Sequence, residues 1–382
     1  MATAEQQSGG ALTESGAGGA LSAEQLNHLL AAKLGSTRIM SVVEEAIGTG
    51  QMSESRRLRL TYSRRCDLPE TLIAKFPSDD PKSRTTGKAT RCYEVEASFY
   101  RDLRDALDVG APHCYHVERN EETDEFLLLL EDFAPCTQGD QIKGCAPAEA
   151  EACVDELVKL HGPLWNSPFL STLPWLNRSS NKDRSGSQAL MQQVFPGFLS
   201  RYADRLDPAA RSVGEEFVRD SGDYFSRELP HRTVVHGDFR LDNLLFRGIE
   251  SESGIGGEPV QSGSGGARVG VVDFQTVTHA CGPQDLSYFV GAGLTTEARR
   301  SHERSLVTRW VAGLRGYGIE LDADHVWNEY RRYAFAGFVM AVVASMIVKQ
   351  TPRGDEMFMA MANRHGVHAA DLDALAVVRG GR

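Results

Sequence analysis

The chain has 382 residues, with 41 Lys and Arg against 52 Asp and Glu, a formal charge of −11. Hydrophobic residues make up 41% and aromatics 8%, too apolar for a disordered chain and too mixed for a fibre, and the length suggests about two domains. The acidic balance excludes a general nucleic-acid binder, because no basic surface would track phosphates.

The N-terminus, MATAEQQSGGALTESGAGGA, lacks a basic segment followed by an apolar core, so it does not read as a secretory signal. Its Gly, Ala and Ser content predicts a disordered tail over residues 1–21. A helix is expected from Ser22, which forms an S-x-x-Q capping box with Gln25 ahead of Leu26, Leu29 and Leu30. Strands follow over Thr37 to Ile47, Arg57 to Tyr62 and Thr71 to Phe76, the first two joined by a turn at Gly48-Thr49-Gly50. Arg91 to Leu107 has helical periodicity, and His113 to Val117 and Glu125 to Leu130 read as two more strands.

After Phe133 helical patterns dominate: Ala148 to His161, Gln188 to Leu206, Arg211 to Leu229, Ala298 to Gly316 and Ala323 to Gln350. A β interruption comprises Thr233 to Val235, Leu244 to Phe246 and Val269 to Val272. It holds a Gly/Ser/Glu-rich stretch, Gly248 to Ala267, that reads as a mobile insertion. The longest apolar run, Tyr333 to Val348, is short of the roughly 20 residues a membrane span needs and reads as a buried helix. No membrane association is expected. The seven cysteines (Cys66, Cys92, Cys114, Cys136, Cys145, Cys153 and Cys281) form no C-x-x-C pair and are odd in number. That argues against a disulfide framework or thiolate zinc site and fits a cytoplasmic protein.

The chemistry concentrates in Val234 to Phe246, VVHGDFRLDNLLF. A strand delivers His236-Gly237-Asp238, Asn243 follows five residues later, and a further strand delivers Asp273-Phe274-Gln275. Phosphoryl transfer from ATP requires positioning and charge neutralisation more than covalent work. It needs a carboxylate beside the acceptor hydroxyl, hard oxygen ligands for magnesium, and a cation near the transferring group. Asp238 would orient the hydroxyl and take its proton, Asn243 and Asp273 would hold Mg2+, and Arg240 could reach the γ-phosphate. His231, His236 and His279 lack the H-x-H or H-E-x-x-H spacing of a metal hydrolase.

These motifs, with Gly282-Pro283-Gln284-Asp285-Leu286, resemble the aminoglycoside phosphotransferase and choline-kinase-like superfamily. The resemblance looks closest to its ecdysteroid-kinase-like branch and covers the chain from about Val42 onward. It implies an α+β, two-lobed, protein-kinase-like fold. A small β-rich N-lobe over residues 22–133 would bind nucleotide, and a larger helical C-lobe over 134–382 would carry the catalytic loop and acceptor site. The implied activity is ATP-dependent, Mg2+-assisted phosphorylation of a small-molecule hydroxyl.

In the N-lobe the resemblance implies that Lys75 holds the α- and β-phosphates and pairs with a helix glutamate, Glu96 in preference to Glu94. It also implies a phosphate turn at Gly48, Gly50 and Ser53, and a hinge of backbone groups around Leu130, Glu131 and Asp132 that meets adenine. His161, at the end of a helix, takes a structural hydrogen bond rather than a catalytic role, and Asp285 braces the catalytic loop or caps the helix from Leu286. A protein kinase is disfavoured by the missing A-P-E segment and the short stretch after Asp273. A pseudokinase is disfavoured because every expected catalytic position is filled. The acceptor stays open among aminoglycoside, macrocyclic, sterol-like and nucleoside alcohols, as does the choice between monomer and homodimer. Residues 134–382 carry 26 Lys and Arg against 30 Asp and Glu, only mildly acidic for a polycationic acceptor. Trp165, Trp175, Tyr330, Tyr333 and Phe338 read as core more readily than as an acceptor site. Arg331 and Arg332 read as solvated.

Overall fold

The structure, a computed structural model, describes residues 19–48, 52–177, 181–226, 230–248 and 269–380. Gly50 of the expected phosphate turn, the tail through residue 18 and residues 249–267 of the expected insertion lie outside the described residues. The chain divides into two compact units. The small one runs to Leu103 and adds Pro112–Phe133; the large one comprises Arg104–Ala111 and Ala134–Arg382.

The small unit runs α1 (Ala23–Leu29), α2 (Ala31–Leu34), β1 (Ile39–Ile47), β2 (Ser53–Tyr62), β3 (Thr71–Pro77), α3 (Pro81–Ala89), α4 (Cys92–Asp102), β4 (Cys114–Arg119) and β5 (Phe126–Glu131). Its antiparallel sheet has the order β1-β2-β3-β5-β4. The capping box forms: Ser22 Oγ accepts from the Gln25 N–H at 3.1 Å, and Gln25 Oε1 accepts from the Ser22 N–H at 2.8 Å. Leu26, Leu30 and Leu34 then pack on Leu58, Leu60, Leu72 and Leu129 of the sheet. Leu21, counted with the tail by composition, is buried in the same cluster. Strand side chains alternate between faces. Leu72, Ala74 and Phe76 join this core, which leaves Lys75 on the opposite face of β3. The helix α3 was not expected from the sequence; Asp80 caps it by accepting from the Ser83 N–H at 2.8 Å, with Pro81 in its first turn. The expected helix from Arg91 starts one residue later, because Arg91 is left-handed at φ 58°, and it stops at Asp102.

The large unit contains β6 (Thr137–Gln138), α5 (Pro147–His161), α6 (Asn181–Tyr202), α7 (Pro208–Asp220), α8 (Gly222–Ser226), β7 (Arg232–Val235), β8 (Leu244–Phe246), β9 (Val269–Val271), β10 (Thr278–Cys281), α9 (Pro283–Gly293), α10 (Thr296–Leu314), α11 (Ala323–Arg332), α12 (Ala336–Ile347), α13 (Pro352–Asp371) and α14 (Ala374–Val378). Strands β6, β8 and β9 form one small sheet, and β7 pairs antiparallel with β10. Residues 104–111, grouped with the N-lobe by sequence, belong to this unit. The Gly110 N–H donates to Glu156 Oε2 at 2.7 Å, and the Gly110 carbonyl accepts from the Val271 N–H at 2.9 Å.

The expected single helix from Ala323 to Gln350 breaks into α11, a short turn at Tyr333–Phe335 and α12. At the break Phe335 stacks on Phe217 with ring centroids 4.1 Å apart. Tertiary packing overrides a continuous helical pattern here. Gly337, Phe338, Ala341 and Val342 face the core. Among the described residues no helix is long and apolar enough to cross a membrane.

His365 on α13 is fully buried, and burial pushes its pKa down to about 3, with nearby His368 lowering it further. The neutral ring is therefore favoured in the folded state, whereas a solvent-exposed imidazole has an ordinary pKa of 6.5. Above pH 6.5 both states are neutral and His365 adds no pH dependence. As pH falls from 6.5 towards 3 the unfolded chain binds the proton first, and stability drops with a slope approaching about 1.4 kcal/mol per pH unit. Thermal denaturation across this range should show the loss, and His365→Gln should flatten it.

Candidate active site

Strand β7 ends at Val235 and the chain turns through His236-Gly237-Asp238. Gly237 has φ +81°, and a Cβ there would sit 2.8 Å from the Thr276 carbonyl oxygen, so only glycine fits the turn. Fully buried Asp285 on α9 receives the backbone N–H groups of His236 at 2.6 Å and Gly237 at 2.9 Å. Trp310 Nε1 donates to His161 Nδ1 at 3.1 Å. That leaves the proton of His161 on Nε2, which faces Asp285 Oδ2 at 3.3 Å. A buried Trp–His–Asp chain therefore fixes the backbone that presents Asp238. His236 has the same tautomer: Nδ1 accepts from the Asp238 N–H at 3.3 Å, and Nε2 donates to the Val272 carbonyl at 3.1 Å.

Three donors converge on the Asp238 carboxylate. Tyr288 Oη donates to Oδ1 at 2.5 Å, while Arg240 Nε and Asn243 Nδ2 donate to Oδ2 at 3.0 and 3.1 Å. Burial raises the Tyr288 pKa well above its ordinary value, and the neighbouring Asp238 charge raises it further. Tyr288 is thus a permanent donor. Asn243 Nδ2 also donates to the Asp238 carbonyl at 2.9 Å, which turns its amide oxygen the other way. The Asn243 carbonyl accepts from the Val272 N–H at 3.0 Å, and Leu244 pairs with Val271 across β8 and β9. The strand pair thereby sets Asn243 beside the segment that delivers Asp273. Asp273 holds a left-handed backbone at φ 69°, ψ 59°, uncommon for a non-glycine residue and a conformation that clusters at functional sites. Its Oδ2 accepts from Gln275 Nε2 at 3.0 Å.

Arg240 lies between two carboxylates, Asp238 at 3.0 Å and Asp242 at 2.7 Å. Burial lowers its pKa, but Asp238, Tyr288 and Asp242 outweigh that and raise it overall. Arg353 on α13 grips both Asp242 oxygens at 3.1 Å. Burial pushes the Asp242 pKa up, the Arg353 bond and the Arg240 charge pull it down, and the net shift is downward. Gln141 completes the brace, donating its backbone N–H to Asp242 Oδ1 at 3.0 Å and accepting the Leu241 N–H at 2.9 Å.

In the small unit Lys75 and Glu96 are both buried and joined at 2.7 Å. Glu94 instead pairs with Arg91 at 2.6 Å. Gly48 has φ +73°, Ser53 is buried at the start of β2, and Tyr93 Oη ties the Met52 carbonyl at 2.7 Å. Leu130 and Glu131 end β5. The Glu131 N–H donates to the His113 carbonyl at 2.8 Å, and Asp132 is held by Arg57 at 2.7 and 3.2 Å.

Sequence reasoning missed Tyr288, Thr276, Gln141 and Arg353. Tyr288 carried a usable signal, since it follows Asp285 by three residues and so shares a face of α9. Gln141 and Arg353 lie about 100 residues from the loop they brace and leave no local trace. Among the residues weighed for the acceptor, Tyr330 and Phe338 are fully buried and Trp175 nearly so. Arg331 donates to the Leu372 and Asp373 carbonyls, and Arg332 is buried. All seven cysteines are free thiols. Among the described residues no group of three or more His, Cys, Asp or Glu could hold a metal ion.

The chain is similar in fold to solved small-molecule kinases. Choline kinase from Cryptosporidium parvum matches with TM-score 0.53 and 9% identity, covering 89% of this chain and 91% of that one. Plasmodium vivax ethanolamine kinase matches with TM-score 0.51 and 10% identity, covering 89% and 86%. The GDP complex of wild-type aminoglycoside 2'-phosphotransferase-IIIa matches with TM-score 0.51 and 14% identity, covering 90% and 98%. No curated protein matches the sequence. The two-unit α+β architecture is thus the one these kinases share. The profile of the ecdysteroid kinase-like family matches residues 48–317, a span that holds His236-Gly237-Asp238, Asn243, Asp273 and Asp285, and the chain belongs to that family.

Proposed function

We propose that this protein is an ATP-dependent, magnesium-assisted phosphotransferase acting on a hydroxyl group of a small molecule. The observation that carries the reading is the Asp238 carboxylate, held by Tyr288, Arg240 and Asn243, with Asn243 stitched to the strand that leads into Asp273. Choline, ethanolamine and aminoglycoside kinases share the fold, and their names describe phosphorylation of small molecules.

Asp238 accepts the proton of the acceptor hydroxyl as its oxygen forms the bond to the γ-phosphorus and the bond to the leaving ADP breaks. Three donors already occupy the carboxylate, which has about four acceptor positions, so it is oriented with capacity left for one more hydrogen bond. Asn243 and Asp273 offer an amide and a carboxylate oxygen, the hard donors that suit Mg2+ together with phosphate oxygens. Bound magnesium supplies charge neutralisation on the phosphates. Arg240 fixes Asp238 and carries positive charge into the same site. In the small unit Lys75, oriented by Glu96, takes the α- and β-phosphates. Gly48 and Ser53 offer backbone N–H groups to them, and backbone groups of Leu130, Glu131 and Asp132 take the adenine. Free thiols suit a cytoplasmic setting.

ATP consumption against a panel of alcohols, with the phosphorylated product identified by mass, tests this reading. Lys75→Met should lower kcat/KM for ATP by about 10²-fold without unfolding the protein. A variant with wild-type kinetics would remove Lys75 from the nucleotide site.

A further inference from the structure

Beside the catalytic loop, wholly within the large unit, lies a cavity of about 410 Å³, within the size range of small-molecule sites. Gly237 and Tyr288 form part of its wall, and Tyr288 is the residue bonded to the Asp238 carboxylate. An alcohol in this cavity would lie beside the proposed base. Its walls are mainly apolar, with Tyr224, Phe225 and Tyr333 facing Val339, Met340 and Val343 of α12. This explains the all-round apolar character of α12: one face packs in the core and the other lines the cavity.

The charge in this cavity is unusual. Among the described lining residues there is no Asp or Glu, and the cationic side chain is Arg232. Arg232 and His279 face the cavity from the paired strands β7 and β10. Burial lowers the His279 pKa to about 4, with Arg232 adding to the effect, so the imidazole is neutral at pH 7. His279 Nδ1 meets Asn177 Oδ1 at 2.9 Å. The Arg232 guanidinium is half-buried, and its hydrogen bond runs from Nη2 to the His279 carbonyl at 2.5 Å. Among the described residues it has no carboxylate partner. A guanidinium beside apolar walls attracts an anionic group more strongly than it would in water. A cationic acceptor would meet repulsion from Arg232; among the described lining residues no carboxylate offsets it, and the Asp238 carboxylate behind Tyr288 is already paired with Arg240.

We propose, on the basis of the phosphotransferase reading above, that the acceptor is an apolar hydroxy compound carrying one anionic group, which Arg232 recognises while its hydroxyl meets Asp238. The cationic acceptors named for the choline and ethanolamine kinases of similar fold fit this cavity poorly.

Two measurements test this, one with turnover and one without. The first compares an ω-hydroxyalkanoate, the alkanediol and the amino alcohol of one chain length. The hydroxy acid should have at least tenfold higher kcat/KM than either. Arg232→Gln should lower that value about 10- to 100-fold, and Arg232→Lys should restore part of it. The second measures binding to Asp238→Asn protein of two fluorescent probes that share an apolar body. These are anionic 1-anilinonaphthalene-8-sulfonate and neutral N-phenyl-1-naphthylamine. The anionic probe should bind about tenfold more tightly, the preference should shrink with added salt, and Arg232→Gln should remove it. A turnover preference for the diol or amino alcohol overturns the proposal. So does a probe preference unchanged by Arg232→Gln in protein with wild-type circular dichroism. Should Arg232→Gln not fold, Arg232→Lys and the salt dependence decide. An Arg232-dependent probe preference without phosphoryl transfer to any alcohol would uphold the anion-selective cavity and refute the phosphotransferase reading.

Discussion

Replacing Asp238 by asparagine should cut acceptor-dependent phosphoryl transfer by about 10²- to 10⁴-fold, the range expected for loss of a general base. The substitution preserves shape and removes the charge. It also sets a side-chain NH2 among donors, since Tyr288, Arg240 and Asn243 all donate to the carboxylate in the native site. Nucleotide affinity should fall far less than kcat, because the phosphate contacts proposed for Lys75 and Asp273 do not involve this side chain and Asn243 keeps its bond to the Asp238 carbonyl at 2.9 Å. The measurement is kcat with saturating acceptor, alongside a nucleotide titration. A kcat within threefold of the native value would mean that another group takes the proton.

Asp285→Ala should produce the largest loss of stability. Its oxygens accept from the His236 N–H at 2.6 Å and the Gly237 N–H at 2.9 Å, and face His161 Nε2 at 3.3 Å. Alanine would leave two backbone donors and an imidazole donor unsatisfied in a fully buried place. Each unsatisfied buried donor costs about 1–3 kcal/mol. Partial relaxation brings the whole to about 3–5 kcal/mol, the range for breaking a buried charged network. For a chain of this size that lowers Tm by on the order of 10 °C. Asp285→Asn keeps one acceptor oxygen and should lose roughly half as much. Because these bonds hold the backbone carrying Asp238, kcat should fall too, while the nucleotide affinity of folded protein changes little. Calorimetry of the two variants checks the first expectation, and steady-state kinetics below the melting range checks the second. A Tm within 2 °C of native for Asp285→Ala would show that water or a neighbouring group replaces the carboxylate.

The parts of this molecule legible in the sequence are those whose physics is local. The capping box at Ser22 and Gln25 needs only a three-residue spacing. Glu96 rather than Glu94 as the partner of Lys75 is implied by the family resemblance, and two residues apart on a helix the two glutamates face different ways. The order of His236, Gly237, Asp238 and Asn243 is legible because one tight turn and the short 3-10 turn that follows it hold all four. What stayed hidden depends on contacts distant in sequence. The break between α11 and α12 reflects stacking of Phe335 on Phe217, more than a hundred residues away. Helix α13 supplies Arg353 to Asp242, 111 residues away in the chain. The extra face of α12 makes sense once the cavity is seen beside it, since periodicity alone cannot distinguish a core wall from a ligand wall.

The most direct test of the phosphoryl-transfer centre is a crystal structure with a non-hydrolysable ATP analogue and magnesium. The account predicts a metal ion on the phosphates at about 2.0–2.1 Å from the amide oxygen of Asn243 and a carboxylate oxygen of Asp273, with the γ-phosphate facing Asp238. A nucleotide bound elsewhere, or a metal ion touching neither Asn243 nor Asp273, would contradict it.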